Sequence, residues 1–258
     1  MIAYLKLLIR KIDEDQVTTG AAALAFYFSL AIFPALITMI SIIPYLPIEN
    51  LQEGLNAIIM SNLPDEASNL VVSITAEVVE VKRPVLLSTG FAFALWSASS
   101  GVMGIIQQIN KVLEVKETRN YFKLRLIATG ITILFGVLII ATIAFILYLS
   151  NFDSLFIDII DFLVSFSVIL LTFAGLYYLT PKPSMRFQFI TPGSFFGAIG
   201  FILFVNGFKL YLSHFNNYSK TYGSLGGMII FMLWLYVIGF LILLGAEINK
   251  TIETKKND

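Results

Sequence analysis

The sequence has no cysteine and a single histidine among its 258 residues. The absence of cysteine excludes disulfides, thiol catalysis and cysteine-ligated metals. Charge is also scarce: charged residues make up 13% of the chain, whereas soluble domains have about 25%. Apolar residues make up 57%, and the mean hydropathy is +0.84. This composition indicates a membrane protein.

Charge-free runs divide the chain into six segments that are long enough to cross a membrane, since a spanning helix needs about 18 or more apolar residues. The predicted spans are approximately residues 20–43, 85–108, 126–149, 162–179, 187–208 and 223–246. Residues 1–19 are predicted to form an amphipathic helix, and residues 49–83 a small helical outer cap. The fold class we predict is all-α: a polytopic membrane helix bundle that forms a single transmembrane domain over residues 1–258.

The positions of Lys and Arg predict the orientation of the bundle. With six spans and the amino terminus inside, thirteen of the 17 basic residues fall on the inner side. The other four are Lys82, Arg83, Lys209 and Lys220. Because Lys and Arg are retained in the cytoplasm during insertion, this asymmetry places both termini there.

Proline and glycine mark positions within the spans. Pro34 interrupts the charge-free run "AFYFSLAIFPALI", where neighbouring helices or side chains can satisfy the freed carbonyl, so we predict a helix kink there. Glycine pairs with GxxxG spacing open the fifth and sixth spans and predict close helix packing. These glycines are Gly193, Gly197, Gly223 and Gly227. The spacing suits a compact monomer or a tight dimer, and the oligomeric state stays open.

Three stretches carry a resemblance to a known family. They are "TGAAALAFYFSLAIFPAL", "LWSASSGVMGIIQQINKVLEVKETRNYFKLRL" and "YSKTYGSLGGMIIFMLWLYVIGFLILLGAEIN". Together they resemble the YihY/BrkB family of bacterial inner-membrane proteins, formerly labelled ribonuclease BN. The resemblance covers nearly the whole chain and implies six spans in the bacterial plasma membrane.

The former nuclease label finds no support in the residues. A metal-dependent phosphodiesterase needs clustered His, Asp or Glu ligands. The only histidine, His214, lies in "LSHFNNY" on the predicted outer side, with no acidic pair at ligand spacing. We therefore expect no catalytic residue, no metal, no cofactor, no enzymatic activity and no nucleic-acid partner.

Basic residues at the inner ends of the spans form a candidate site for an anionic lipid headgroup or a phosphate. The residues predicted to contribute are Lys111, Arg119, Lys123, Arg125, Arg186 and Lys250. The positive-inside rule alone also accounts for such residues in any polytopic protein. Glu247, just past the sixth span, is predicted to form a structural ion pair with a cation such as Arg125.

Two classes of function follow. In the first, the protein is a transporter or flippase-like protein for an anionic or lipid-linked molecule of the envelope, with membrane lipids as partners. In the second, it is a non-transporting membrane scaffold that organises the envelope. Neither a P-loop nor another nucleotide motif is present, which argues against ATP-driven transport by this chain alone.

Overall fold

The computed structural model describes residues 2–42, 84–149, 155–181, 189–214 and 224–257. Those residues form seven α-helices and contain no β-strand. The helices are α1 (Ile2–Glu14), α2 (Val17–Ile42), α3 (Pro84–Val112), α4 (Tyr121–Leu149), α5 (Leu155–Leu179), α6 (Pro192–His214) and α7 (Ser224–Asn257). The all-α class expected from the sequence is confirmed for the described part of the chain.

Within those ranges, five stretches of helix are long and apolar enough to cross a membrane. They are Leu87–Val112, Tyr121–Thr142, Phe162–Leu179, Pro192–Tyr211 and Gly227–Glu253. The first predicted span falls within α2 (Val17–Ile42), where a shorter apolar stretch, Val17–Ala31, is found among the described residues. The structure therefore supports a membrane helix bundle with five long apolar helices, and the sixth span stays a prediction. The predicted cap, residues 49–83, lies outside the described residues.

The amphipathic helix predicted at the amino terminus is present as α1. On its predicted apolar stripe, Ile12 packs against the main hydrophobic core, whereas Ile9 is 65% exposed. Helix α2 runs without a break through Pro34 to Ile42, and the Thr38 hydroxyl donates to the Pro34 carbonyl at 2.8 Å. Proline thus lies inside a continuous helix, as expected in a membrane, and the kink itself stays a prediction.

The chain divides into two compact units, residues 1–29 with 99–258 and residues 30–98. The described part of the second unit consists of the carboxyl-terminal half of α2 and the amino-terminal half of α3. The first unit contains the buried core, to which α2, α3, α5 and α7 contribute Leu24, Ile109, Tyr177 and Leu243. The single transmembrane domain over residues 1–258 stays a prediction.

Close contact between α6 and α7 depends on two glycines. A Cβ at Gly193 would overlap the Gly245 carbonyl oxygen, and a Cβ at Gly245 would overlap the Tyr177 hydroxyl. The first turn of α6 is fixed by Thr191, since the Ser194 amide donates to its hydroxyl at 3.2 Å. The Gly193 amide donates to Asn249 Oδ1 at 2.8 Å. The amino-terminal end of α6 is thereby attached to α7 two residues beyond Glu247.

Candidate functional site

A cluster of polar side chains lies where three segments of the first unit meet: residues 11–16, residues 110–119 and residues 247–250. We call this cluster the polar corner. The first segment joins α1 to α2, the second joins α3 to α4, and the third belongs to α7. Five ion pairs connect residues within it: Lys11 with Glu14 and Glu114, Lys250 with Asp15 and Glu114, and Arg119 with Glu117.

Two residues of the polar corner adopt the left-handed backbone conformation although neither is glycine. They are Gln16, with a φ of 53°, and Glu114, with a φ of 55°. At the end of α3, the Glu114 amide donates to the Lys111 carbonyl at 3.0 Å and the Val115 amide to the Asn110 carbonyl at 2.9 Å. These two bonds are those of a Schellman cap, where glycine is the usual residue at the position of Glu114. Glu114 therefore occupies a position where the backbone conformation alone would favour glycine.

The side chains of both left-handed residues accept hydrogen bonds from lysines of other segments. Lys111 donates to Gln16 Oε1 at 2.8 Å. Lys250 donates to Glu114 Oε1 at 2.9 Å, and Lys11 lies 3.5 Å from the same oxygen. Two lysines that are far apart in the sequence thus converge on one carboxylate, which is itself 65% exposed.

The charged forms of Glu114 and Lys11 are both stabilised by their neighbours. The hydrogen bond from Lys250, and the charges of Lys250 and Lys11, lower the pKa of the Glu114 carboxyl. Burial alone would lower the pKa of Lys11, but its hydrogen bond to Glu14 and the charges of Asp15 and Glu114 outweigh it and raise the pKa. At neutral pH the group is therefore an anion held by cations, at a point that solvent reaches.

Glu117 and Arg119 form a second ion pair, with better geometry. Arg119 donates through Nε to Glu117 Oε1 at 2.8 Å and through Nη2 to Oε2 at 2.6 Å. Asn110 Nδ2 also donates to Oε2 at 2.8 Å, and Arg119 Nη2 reaches the Thr180 carbonyl at the end of α5. The hydrogen bonds from Arg119, which outweigh the effect of burial, lower the pKa of Glu117. This pair fixes the loop between α3 and α4 to α5.

The other cations of the predicted headgroup site are distributed over different surroundings. Arg125 is buried, and its Nη1 donates to Ser100 Oγ at 2.8 Å. The Lys123 side chain is exposed, and its backbone amide is capped by Asn120 Oδ1 at 2.9 Å. Arg186 lies outside the described residues. The structure therefore brings Lys111, Arg119 and Lys250 into the polar corner, and the site as a whole stays a prediction.

Glu247, the α7 residue that begins the third segment of the polar corner, is fully buried in the protein interior. Neither of its carboxylate oxygens has a hydrogen-bond partner. In the described residues, the other buried side-chain atoms without a partner are Asn110 Oδ1 and Glu253 Oε2. Arg125 donates to Ser100, and Glu247 accepts no hydrogen bond from Arg125. The ion pair predicted for Glu247 stays a prediction.

The predicted packing glycines differ in their surroundings. Gly193 faces Gly245, and Gly197 faces the ring of Phe173, so both lie at close contacts. Gly227 has no atom within 4 Å of an added Cβ, and Gly223 lies outside the described residues. Gly245, the first residue of the "GAE" triplet, lies at the tightest crossing, although the GxxxG spacing did not identify it.

Sequence reasoning also missed the acidic half of the polar corner. Counting cations identified Lys111, Arg119 and Lys250 but gave no role to Asp15, Glu114 or Glu117. One signal was available: Asp13, Glu14 and Asp15 form an acidic run that begins two residues after Lys11. The position of Glu114 had no such signal, because its left-handed backbone is adopted by a residue type that rarely takes it.

The fold and the composition together define the class of this protein: it is a multi-pass integral membrane protein made of helices. Residues 8–258 match the family described as Virulence factor BrkB. The chain therefore belongs to that family, and the resemblance seen in the sequence is confirmed.

Several bacterial proteins are similar to the chain over nearly its full length. A Bacillus subtilis (strain 168) protein named as ribonuclease-like, YfkH, is 34% identical over 99% of this chain and 97% of its own length. A UPF0761 membrane protein of Vibrio vulnificus (strain YJ016) is 27% identical over 99% of this chain and 84% of its own. One from Psychromonas ingrahamii is 26% identical over 97% and 87%. No solved structure matches the chain.

Proposed function

We propose that the protein is a six-span transporter, or flippase-like protein, for an anionic or lipid-linked molecule of the bacterial envelope. It lies in the plasma membrane with both termini in the cytoplasm. The uneven distribution of Lys and Arg supports this orientation, and membership of a bacterial membrane-protein family supports the location. Membrane lipids are its immediate partners, and the polar corner lies at the cytoplasmic end of the bundle.

One observation carries the proposal: Lys250 and Lys11 converge on the Glu114 carboxylate, which is exposed. An exposed carboxylate between two lysines has the charge and the acceptor oxygens of a phosphate or carboxylate ligand. Such a ligand could replace it at the same lysines. Glu114 keeps an unfavourable backbone conformation to hold this position, as residues at functional sites often do.

A scaffold is the second candidate, and a different observation favours it. Lys111 and Arg119, both predicted to bind headgroups, donate to acceptors of the chain itself. Bonds of this kind hold α1, the loop after α3 and the end of α5 together without a ligand. If the polar corner serves only this purpose, the protein organises its neighbours and moves nothing.

We do not extend to this chain the ribonuclease-like activity in the name of YfkH. In the ranges that the structure describes, no group of three or more His, Asp or Glu side chains could hold a metal ion. The acidic residues of the polar corner are engaged with lysine and arginine, or buried without a donor. Neither arrangement activates water in the way that a metal centre does.

The topology can be tested directly because the chain has no cysteine. Single cysteines are introduced at Asn69 and at Lys116, and intact cells are treated with a membrane-impermeant thiol reagent. We expect labelling at position 69 and none at position 116 until the membrane is permeabilised. Equal labelling of both positions in intact cells would contradict six spans with a cytoplasmic amino terminus.

Transport is tested in phosphatidylcholine vesicles that contain the purified protein and a trace of phosphatidylglycerol with a fluorescent headgroup. A membrane-impermeant reductant bleaches label in the outer leaflet, so further bleaching measures movement from the inner leaflet. The assay is run with and without a pH gradient. We expect faster bleaching than in protein-free vesicles, a loss of most of this gain in Lys250→Gln, and little change in Lys116→Gln.

Lys116 is the control because it is an exposed lysine in the loop that carries Glu114. Vesicles that bleach no faster than protein-free ones under either condition would contradict transport of an anionic lipid. A similar loss in both variants would show that total charge, and not the position of Lys250, controls the rate. The scaffold would then be the better account of the polar corner.

A further inference from the structure

Glu247 is the one glutamate whose two carboxylate oxygens are both buried and without a hydrogen-bond partner in the described residues. It lies on the hydrophobic helix α7, next to the buried Ala246. Burying an ionised carboxylate with no donor is among the costliest arrangements in a protein. Some other feature of the polar corner must therefore compensate for it.

An acidic neighbour of Glu247 is Asp15, whose side chain is 13% exposed and interacts with the Glu247 carboxyl group. Two ionised carboxylates are both acceptors, so no hydrogen bond joins them. A single proton changes this, because a protonated carboxyl donates to its ionised neighbour. One proton thereby supplies the donor that Glu247 lacks and removes one of two adjacent negative charges.

The remaining charge of the pair is balanced by lysine. Lys250, one helical turn beyond Glu247 on α7, donates to Asp15 Oδ2 at 3.2 Å. Lys11 on α1 is the other cation that acts on Glu247, and it is engaged with Glu14 and Glu114. From α5, the Tyr177 hydroxyl donates to the Ile242 carbonyl, one turn earlier on α7. Neither lysine donates to Glu247. A proton on one of the two carboxyl groups would supply a donor within the pair.

We propose that Asp15 and Glu247 form a proton-binding site, in which one proton is shared between the two carboxyl groups and Lys250 balances the single negative charge that is left. The ligand of this site is a proton, and the site connects the junction of α1 and α2 with α7. It uses residues that the candidate headgroup site does not, apart from Lys250.

Lys250 connects the proton-binding site to the exposed carboxylate of Glu114. Loss of the proton leaves two negative charges beside Lys250, which hold its ammonium group more tightly and weaken its attraction for any other anion. Binding of the proton therefore favours binding of an anion at Lys250. This consequence rests on the proposed transport of an anionic molecule, whereas the shared proton does not.

Infrared spectroscopy of the full-length protein in detergent tests the proton without any transport assay. At neutral pH, exposed carboxyl groups are ionised, so a C=O stretching band of a protonated carboxylic acid reports a proton held in the interior. We expect this band in the unmodified protein, its loss in Glu247→Gln, and its loss or shift in Asp15→Asn. Glu117→Gln is the matched control and should keep the band. Glu117 does not contribute to the band, because the hydrogen bonds from Arg119 keep this carboxyl group ionised at neutral pH.

Thermal unfolding as a function of pH is the second measurement. A carboxyl group that holds a proton when folded and loses it when unfolded makes stability fall as pH rises above the range where free carboxyl groups ionise. We expect this fall in the unmodified protein and a flatter profile in Glu247→Gln. The absence of a protonated-acid band at neutral pH, or its persistence in both Glu247→Gln and Asp15→Asn, would overturn the proposal. A transport assay that fails while the band behaves as expected would count against the proposed function alone.

Discussion

Two glutamates of the polar corner, Glu117 and Glu247, show opposite ways of placing a carboxyl group in a membrane protein. Glu117 is 19% exposed and accepts hydrogen bonds from Arg119 and Asn110. Glu247 is fully buried and accepts none. The first carboxylate is half-buried and has hydrogen-bond donors, and the second lacks the donor that its burial normally requires.

The difference teaches which of the two groups serves the fold. A carboxylate held by a bidentate arginine stabilises one arrangement of its loop, and its charge stays constant near neutral pH. A buried carboxyl group without a donor costs stability, and such costs persist in proteins where the group binds or moves something. We therefore expect Glu117 to serve the structure, whereas Glu247 belongs to the proposed proton-binding site.

The largest effect should come from removing the arginine of the satisfied pair. Arg119→Ala leaves the half-buried Glu117 carboxylate without its bidentate donor, and loss of hydrogen bonds to a charged group costs about 1.5–3 kcal/mol. We expect a strongly destabilised protein in thermal or denaturant unfolding in detergent. Lys123→Ala, which removes an exposed cation from the start of α4, should change stability by less than about 0.5 kcal/mol. Equal effects would show that the bidentate pair contributes little.

The next effect concerns the helix crossing next to Glu247. Gly245→Ala places a methyl group against the Tyr177 hydroxyl and the Gly193 carbonyl, and overpacking of this kind costs about 1–3 kcal/mol. Gly227→Ala on the same helix adds a methyl group in open space and should leave stability unchanged or raise it by up to about 1 kcal/mol. Unfolding measurements on the two variants compare them directly. If Gly245→Ala is as well tolerated as Gly227→Ala, α6 and α7 do not depend on this contact.

A smaller effect should appear in the pH dependence of stability in Glu117→Gln. Arg119 lowers the pKa of Glu117, so this group contributes stability above the range where a free glutamate titrates. The contribution is lost as pH falls through this lowered pKa, on the acidic side of the range where a free glutamate titrates. Glu117→Gln should therefore unfold more easily than the unmodified protein at neutral pH and approach it in acid. A difference that does not shrink in acid would contradict ionisation of Glu117 in the folded state.

Much of the fold could be predicted from the sequence because long charge-free runs have few alternatives in a membrane. The helices at residues 84–112, 121–149, 155–179, 192–214 and 224–257 follow from such runs. The partners of individual side chains could not be predicted in this way. For example, Lys250 contacts both Asp15 and Glu114. These contacts depend on the left-handed turn at Glu114 and on the close contact of α6 with α7. Hydropathy encodes neither feature.

We propose that Glu114 occupies an anion site formed by Lys250 and Lys11. The most direct test is to measure the binding of phosphatidylglycerol to the Glu114→Gly variant. Glycine suits the left-handed position and keeps the cap of α3, so the variant removes the carboxylate without disturbing the backbone. Fluorescence titration in a non-ionic detergent should show binding about two- to fivefold tighter than in the unmodified protein, as expected for loss of a competing ion pair of ~0.5–1 kcal/mol. Lys250→Gln should bind more weakly, and Lys116→Gln should not change. Unchanged affinity in Glu114→Gly, with Lys250→Gln also unaffected, would contradict the account.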